Sequence, residues 1–130
     1  MHVRRIGWAA AVVFAISWFL PAAGDLPGYE AFWLSLKGFF RVGEWELASL
    51  PLAFAWLANV GAVGALRAIH LGGTGTRVAR AFAVCGLFAL GPALVSFGDM
   101  QIAYWLWAGA ILILGALAWR PGPAGAGRRD

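Results

Sequence analysis

The chain has 130 residues, of which 62% are hydrophobic and only 12% charged, with eight Trp and a formal net charge of +4. Roughly a quarter of ordinary globular sequence is charged, so a soluble domain of this length could not hide so much apolar surface. A mean hydropathy of +0.75 points instead to a bilayer, and the basic residues flank apolar runs, which reads as loop orientation and not as nucleic-acid binding. Cys85 is the only cysteine, which excludes an intrachain disulfide, a C-x-x-C redox pair and a thiolate metal cluster.

The first apolar run covers about residues 6–23 and follows His2, Arg4 and Arg5. A basic start, an apolar centre and the small residues Ala22-Ala23-Gly24 also describe a cleavable signal peptide. Trp8 and Trp18 near the ends of the run, and a length within the roughly 17–25 residues that cross a bilayer, favour a retained span. From Asp25 to Glu46 runs DLPGYEAFWLSLKGFFRVGEWE, which holds Asp25, Glu30, Glu44 and Glu46. On a helix starting near Tyr29, the side chains of Tyr29, Phe32, Trp33, Leu36 and Phe40 share one face, while Glu30, Lys37 and Arg41 share another. That stripe predicts an amphipathic helix along the headgroup boundary, spacing two spans or serving as a lid or docking surface.

The second run covers 47–69, with Glu44 and Glu46 suited to a helix N-terminus and Pro51 early enough to be tolerated. A glycine-rich turn at 70–77 leads to the third run, 78–97, in which Gly91-Pro92 should kink the helix or interrupt its hydrogen-bond ladder. The fourth run is 102–119. The Pro/Gly-rich basic tail, 120–130, is expected to be disordered and cytoplasmic. Four spans place both ends of the chain on one side. Arg4, Arg5, Arg67, Arg77, Arg80, Arg120, Arg128 and Arg129 share that side, so the positive-inside rule makes it cytoplasmic. Trp18, Trp33, Trp45, Trp105, Trp107, Tyr29 and Tyr104 are expected to form an outer aromatic belt, with Trp8 and Trp119 at the inner boundary. The predicted fold is an all-α integral membrane four-helix bundle with an extracytoplasmic amphipathic segment between helices 1 and 2.

Small residues recur every four positions: Gly7, Ala11 and Ala15; Ala58 and Ala62, with Gly61 and Ala65; and Ala81, Cys85, Ala89 and Ala93. Such stripes let helices approach within one bundle or across a dimer. Asn59, near the middle of the second run, needs partners that lipid does not supply. It either lines a polar site or hydrogen-bonds to a neighbouring helix. Ser17 and Ser96 can bond back to helix carbonyls, and Cys85 reads as a small buried hydrophobe.

The apolar runs contain no ionisable side chain at their centres, which weighs against proton-coupled transport and against the small multidrug transporters, whose embedded glutamate has no counterpart here. His2 and His70 fall at the same predicted face, so they do not suit a bis-histidine haem. No catalytic or zinc spacing occurs. Glu44, Glu46, Asp99 and Gln101 form a possible outer-face polar cluster, either a cation or active site or simply solvated loop charge. Arg67, Arg77 and Arg80 would touch anionic lipid headgroups, and the Gly72-Gly73-Thr74-Gly75 loop lacks the context of a phosphate cradle.

The stretches SWFLPAAGDLPGYEAFW (17–33) and AYWLWAGAILIL resemble a layout in small uncharacterised bacterial four-span membrane proteins. The resemblance implies a bacterial inner membrane location and brings no activity. The expected role is a non-enzymatic accessory or scaffold subunit without cofactor, partnered by lipid and by another membrane protein or a second copy. The alternative is an oligomeric small-molecule transporter or channel with Asn59 on its pathway.

Overall fold

The computed structural model describes residues 2–41, 50 and 54–121, with Ala23, Val95, Ser96 and Asp99 described by backbone alone. Six α-helices follow in chain order: α1 (His2–Ser17), α2 (Gly28–Phe40), α3 (Trp56–Leu71), α4 (Arg77–Gly86), α5 (Gly91–Ser96) and α6 (Ile102–Trp119). A two-stranded antiparallel ribbon, β1 (Pro21–Ala23) and β2 (Leu26–Pro27), joins α1 to α2, and single 3-10 turns at Leu87–Leu90 and Phe97–Asp99 flank α5.

Local chemistry explains most boundaries. Helix α1 stops at Ser17, short of the expected 23, because Pro21 has no N–H for the Ser17 carbonyl and its ring opposes another helical turn. Helix α3 closes on Gly72, whose left-handed φ of 73° a side chain would resist. Thr76 then starts α4: its Oγ1 accepts from the Ala79 N–H at 3.2 Å and donates to the Gly73 carbonyl at 2.9 Å. The third apolar run, expected over 78–97 with a kink or interrupted ladder at Gly91-Pro92, is broken into α4, a 3-10 turn at Leu87–Leu90 and α5, the break starting at Gly86, before the proline. Pro92 sits in the first turn of α5, where its missing N–H is tolerated.

Helix α6 is the centre of the fold, packed against α1, α3 and α4, while α3 also packs along α4. Helices α1, α3, α4 and α6 alternate in direction along the chain, so α3 and α6, which also pack, run the same way. At one end Arg4 Nη2 donates to the His70 carbonyl at 3.0 Å, the Gly75 N–H donates to the Ala118 carbonyl at 2.8 Å, and the Arg80 guanidinium lies 5.5 Å from the Trp119 ring centre. This arginine end therefore gathers the start of α1, the α3–α4 turn and the end of α6. At the opposite end the Gln101 N–H donates to the Ala22 carbonyl at 3.1 Å.

The core is built of small residues. Ala58, Ala62, Ala65, Ala79, Ala89, Ala108 and Ala118 are buried, whereas Val12, Ile16, Val63, Leu87 and Ile102 face outward. Gly61 shows why size matters: a Cβ there would sit 2.7 Å from both the Gly86 nitrogen and the Phe82 carbonyl oxygen. The small-residue stripes on α3 lie inside as expected. On α1 the buried positions are Gly7, Ala10 and Ser17 instead of Gly7, Ala11 and Ala15, and on α4 Ala81 is exposed while Ala79 and Gly86 are buried. Among the described residues, two stretches, Arg77–Leu94 and Ile102–Trp119, are each 18 residues long and apolar enough to cross a membrane. At about 1.5 Å rise per residue, α6 reaches about 27 Å, close to the roughly 30 Å of a hydrocarbon core.

Candidate functional site

At the end away from the arginines the helices do not close on one another. A cavity of about 440 Å³ opens there, walled by the end of α1, the ribbon, α2, the start of α3, Pro92 on α5 and the start of α6. Its size falls within the about 300–1,000 Å³ typical of small-molecule sites. Trp18, Phe32, Trp56, Tyr104 and Trp107 supply aromatic walls, with Trp18 and Phe32 rings 5.2 Å apart. Helix α2 forms the roof through Ala31, Phe32, Ser35 and Gly38, and it is pinned by the Trp56 N–H, which donates to Ser35 Oγ at 3.1 Å.

Asn59 lies in the first described turn of α3, nine-tenths buried, in the cavity wall. Trp107 Nε1 donates to its Oδ1 at 2.9 Å. An indole N–H can only donate, so this bond fixes which way the amide faces. Asn59 thus bonds to a neighbouring helix and stands in the cavity wall.

Tyr104 departs from expectation. Placed in the outer aromatic belt by its position, it is instead buried, with its hydroxyl inserted into the broken backbone of the third apolar run. The hydroxyl donates to the Ala89 carbonyl at 2.6 Å and accepts from the Ala93 N–H at 3.2 Å. Those two groups are the i, i+4 pair that an unbroken helix would bond directly, so the tyrosine bridges the gap in the ladder. Trp18 and Trp107 also turn toward the cavity, whereas Trp33, Trp105 and Tyr29 remain exposed, as do Trp8 and Trp119. The belt is therefore thinner than expected, because aromatic rings at this end are needed to wall a space between helices. Trp45 lies outside the described residues.

Helix α2 also differs in detail. Phe32, Leu34 and Ser35 line the cavity, Leu34 while still partly exposed, and Trp33 and Phe40 are exposed away from it, so apolar side chains lie on both sides of the helix. Sharing one face by helical angle did not oblige Phe32 and Trp33 to share one environment.

The expected outer polar cluster is not assembled within the description. Glu44, Glu46 and the Asp99 side chain lie outside the described residues, and Gln101 is exposed, acting through its backbone at the start of α6. Arg67 and Arg77 are exposed, and Arg80 is exposed beside Trp119. Ser17 bonds back to the Phe14 carbonyl at 2.7 Å as expected, while Ser96 is described only by its backbone. Cys85 is half-buried, less enclosed than expected. Among the described residues no group of three or more His, Cys, Asp or Glu is placed to hold a metal ion.

Sequence reasoning missed Tyr104, Trp18, Trp56 and Arg41 as cavity residues. Pro92 announced that a carbonyl and an N–H would fall out of register, but nothing local said which distant side chain would take them. No family model, curated protein or solved structure matches this chain, so the cavity's own residues are the basis on which its role is read.

Proposed function

We propose that the chain is a multi-pass inner membrane protein of four spans, with both ends of the bundle's chain cytoplasmic, acting as a non-enzymatic accessory subunit whose working part is a binding compartment at the outer end. The cavity under α2 carries this reading: segments from the end of α1 to the start of α6 combine to enclose aromatic walls around a few hydrogen-bonding groups. Side chains of that kind bind and orient a guest. The membrane part is supported by small residues facing inward and large ones outward, the arrangement that lipid-exposed bundles favour. The gathering of Arg4, Arg77, Arg80 and Arg120 toward one end supports the orientation.

The presence of Asn59 in the cavity wall favours a second reading, an oligomeric transporter or channel with this compartment on its pathway. Native mass spectrometry of the protein gently extracted from its own membranes separates the two. A reproducible complex with a different protein is the expected result. A homo-oligomer with no other protein would overturn the subunit reading in favour of transport, and recovery of the chain in the aqueous fraction would overturn both. The four-span topology is checked by cysteines at Lys37 and Thr74 in a Cys85→Ser background. These should label from opposite sides, and labelling from one side would refute it.

A further inference from the structure

We infer that the compartment beneath α2 binds a membrane-soluble molecule whose apolar body fills the aromatic space and whose carbonyl oxygen accepts a hydrogen bond from Asn59 Nδ2. The inference rests on the binding-compartment reading and names its ligand class.

With Asn59 Oδ1 committed to Trp107, the amide nitrogen is on the other side of the group, in a residue that lines the cavity. That nitrogen brings two N–H donors to a largely apolar wall, where a ligand that answers them is favoured. Two more donors stand nearby: Trp18 and Trp56 both line the cavity, and their Nε1 atoms are buried without a partner among the described residues. The hydroxyl protons of Ser17 and Tyr104, by contrast, already go to the carbonyls of Phe14 and Ala89. The buried donors of the wall that lack a partner among the described residues are thus indole nitrogens, beside the Asn59 amide.

Such a wall selects a ligand that brings acceptors and few protons of its own. A polyhydroxylated molecule would carry protons with nowhere to go, and the aromatic surround would strip its water without return. A carbonyl on an apolar body answers the donors and benefits from the walls. In a bilayer that chemistry has two sources, the ester of an acyl lipid and the ring carbonyl of a quinone.

The test uses the full chain in detergent, ¹⁵N-labelled at the eight tryptophans, with each indole N–H signal assigned by a Trp→Phe variant. Methyl laurate, decylubiquinone and the acceptor-free dodecylbenzene are titrated separately. A carbonyl probe should move the Trp18, Trp56 and Trp107 signals saturably and leave the Trp8 and Trp119 signals in place. Asn59→Leu should weaken binding about tenfold, the worth of one hydrogen bond. Ala31→Phe, which fills the space without touching Asn59, should abolish it, and this variant keeps the question decidable if Asn59→Leu fails to fold. Response to the ester alone assigns an acyl lipid, response to the quinone alone assigns a quinone, and response to both supports the shared carbonyl chemistry. Equal response to dodecylbenzene, unchanged affinity in folded Asn59→Leu or Ala31→Phe, or no response to either carbonyl probe overturns the inference. The last result, alongside a partner complex in native mass spectrometry, would remove the ligand class and leave the subunit reading standing.

Discussion

The two ends of the bundle solve the same packing problem in opposite ways. Toward the arginine end, α1 and α3 approach so closely that a Cβ on Gly7 would lie 3.2 Å from Ile69 Cγ2, and main-chain and arginine contacts tie the start of α1, the α3–α4 turn and the end of α6 together. At the other end α1 gives way to a ribbon, the third apolar run breaks at Gly86, and aromatic side chains hold the helices apart around a cavity. Close contact at one end depends on the absence of side chains, and open space at the other depends on large side chains bonded at their tips. The rigid end can thus act as a foundation against which the open end is held.

Substitutions can break this contrast, and the largest effect belongs to the close α3–α4 contact at Gly61. Gly61→Leu must push α3 and α4 apart, since even its Cβ would meet main-chain atoms at 2.7 Å. It should cost about 3 kcal/mol, read as a lowered unfolding midpoint in detergent. Tyr104→Phe comes next. It removes the bridge between Ala89 and Ala93 and leaves two buried main-chain groups unanswered, so a loss of about 2 kcal/mol is expected, with faster amide exchange at Ala93.

Asn59→Leu should be milder, about 1 kcal/mol, because it leaves a single indole N–H unpaired while replacing the amide with an apolar group of similar size. The Trp107 indole N–H resonance would report the loss directly. Arg80→Ala closes the series. The exposed stacking on Trp119 is worth about 0.5 kcal/mol, so thermal stability should barely move. A ranking in which Arg80→Ala outweighed Tyr104→Phe would refute the division into a closed foundation and an open, side-chain-braced end.

The legible parts of the fold were those governed by neighbours in the chain. Apolar runs of helical length, the Gly72 cap, the Thr76 start of α4 and the interruption near Pro92 all follow from residues within a few positions of the feature they produce. The end of α1 belongs in this group too: Pro21 and the Ser17 carbonyl four residues before it carry the reason the helix stops short. The small-residue stripes were visible as spacing, but spacing alone left open which of several overlapping faces would be buried, and α1 buries Ala10 in preference to Ala11.

From sequence alone, then, came the helical character, the apolar runs, the asymmetry of basic charge and the importance of Asn59 as a polar group in apolar surroundings. Tertiary structure decided what Asn59 touches, that Tyr104 spans the break between Ala89 and Ala93, and that α2 roofs a cavity with Phe32 while exposing Trp33. The physical reason is range. Helix formation, capping and proline breaks are set over a few residues, whereas Trp107 and Asn59 are 48 positions apart. Only the docking of α6 against α3 brings that donor to that acceptor.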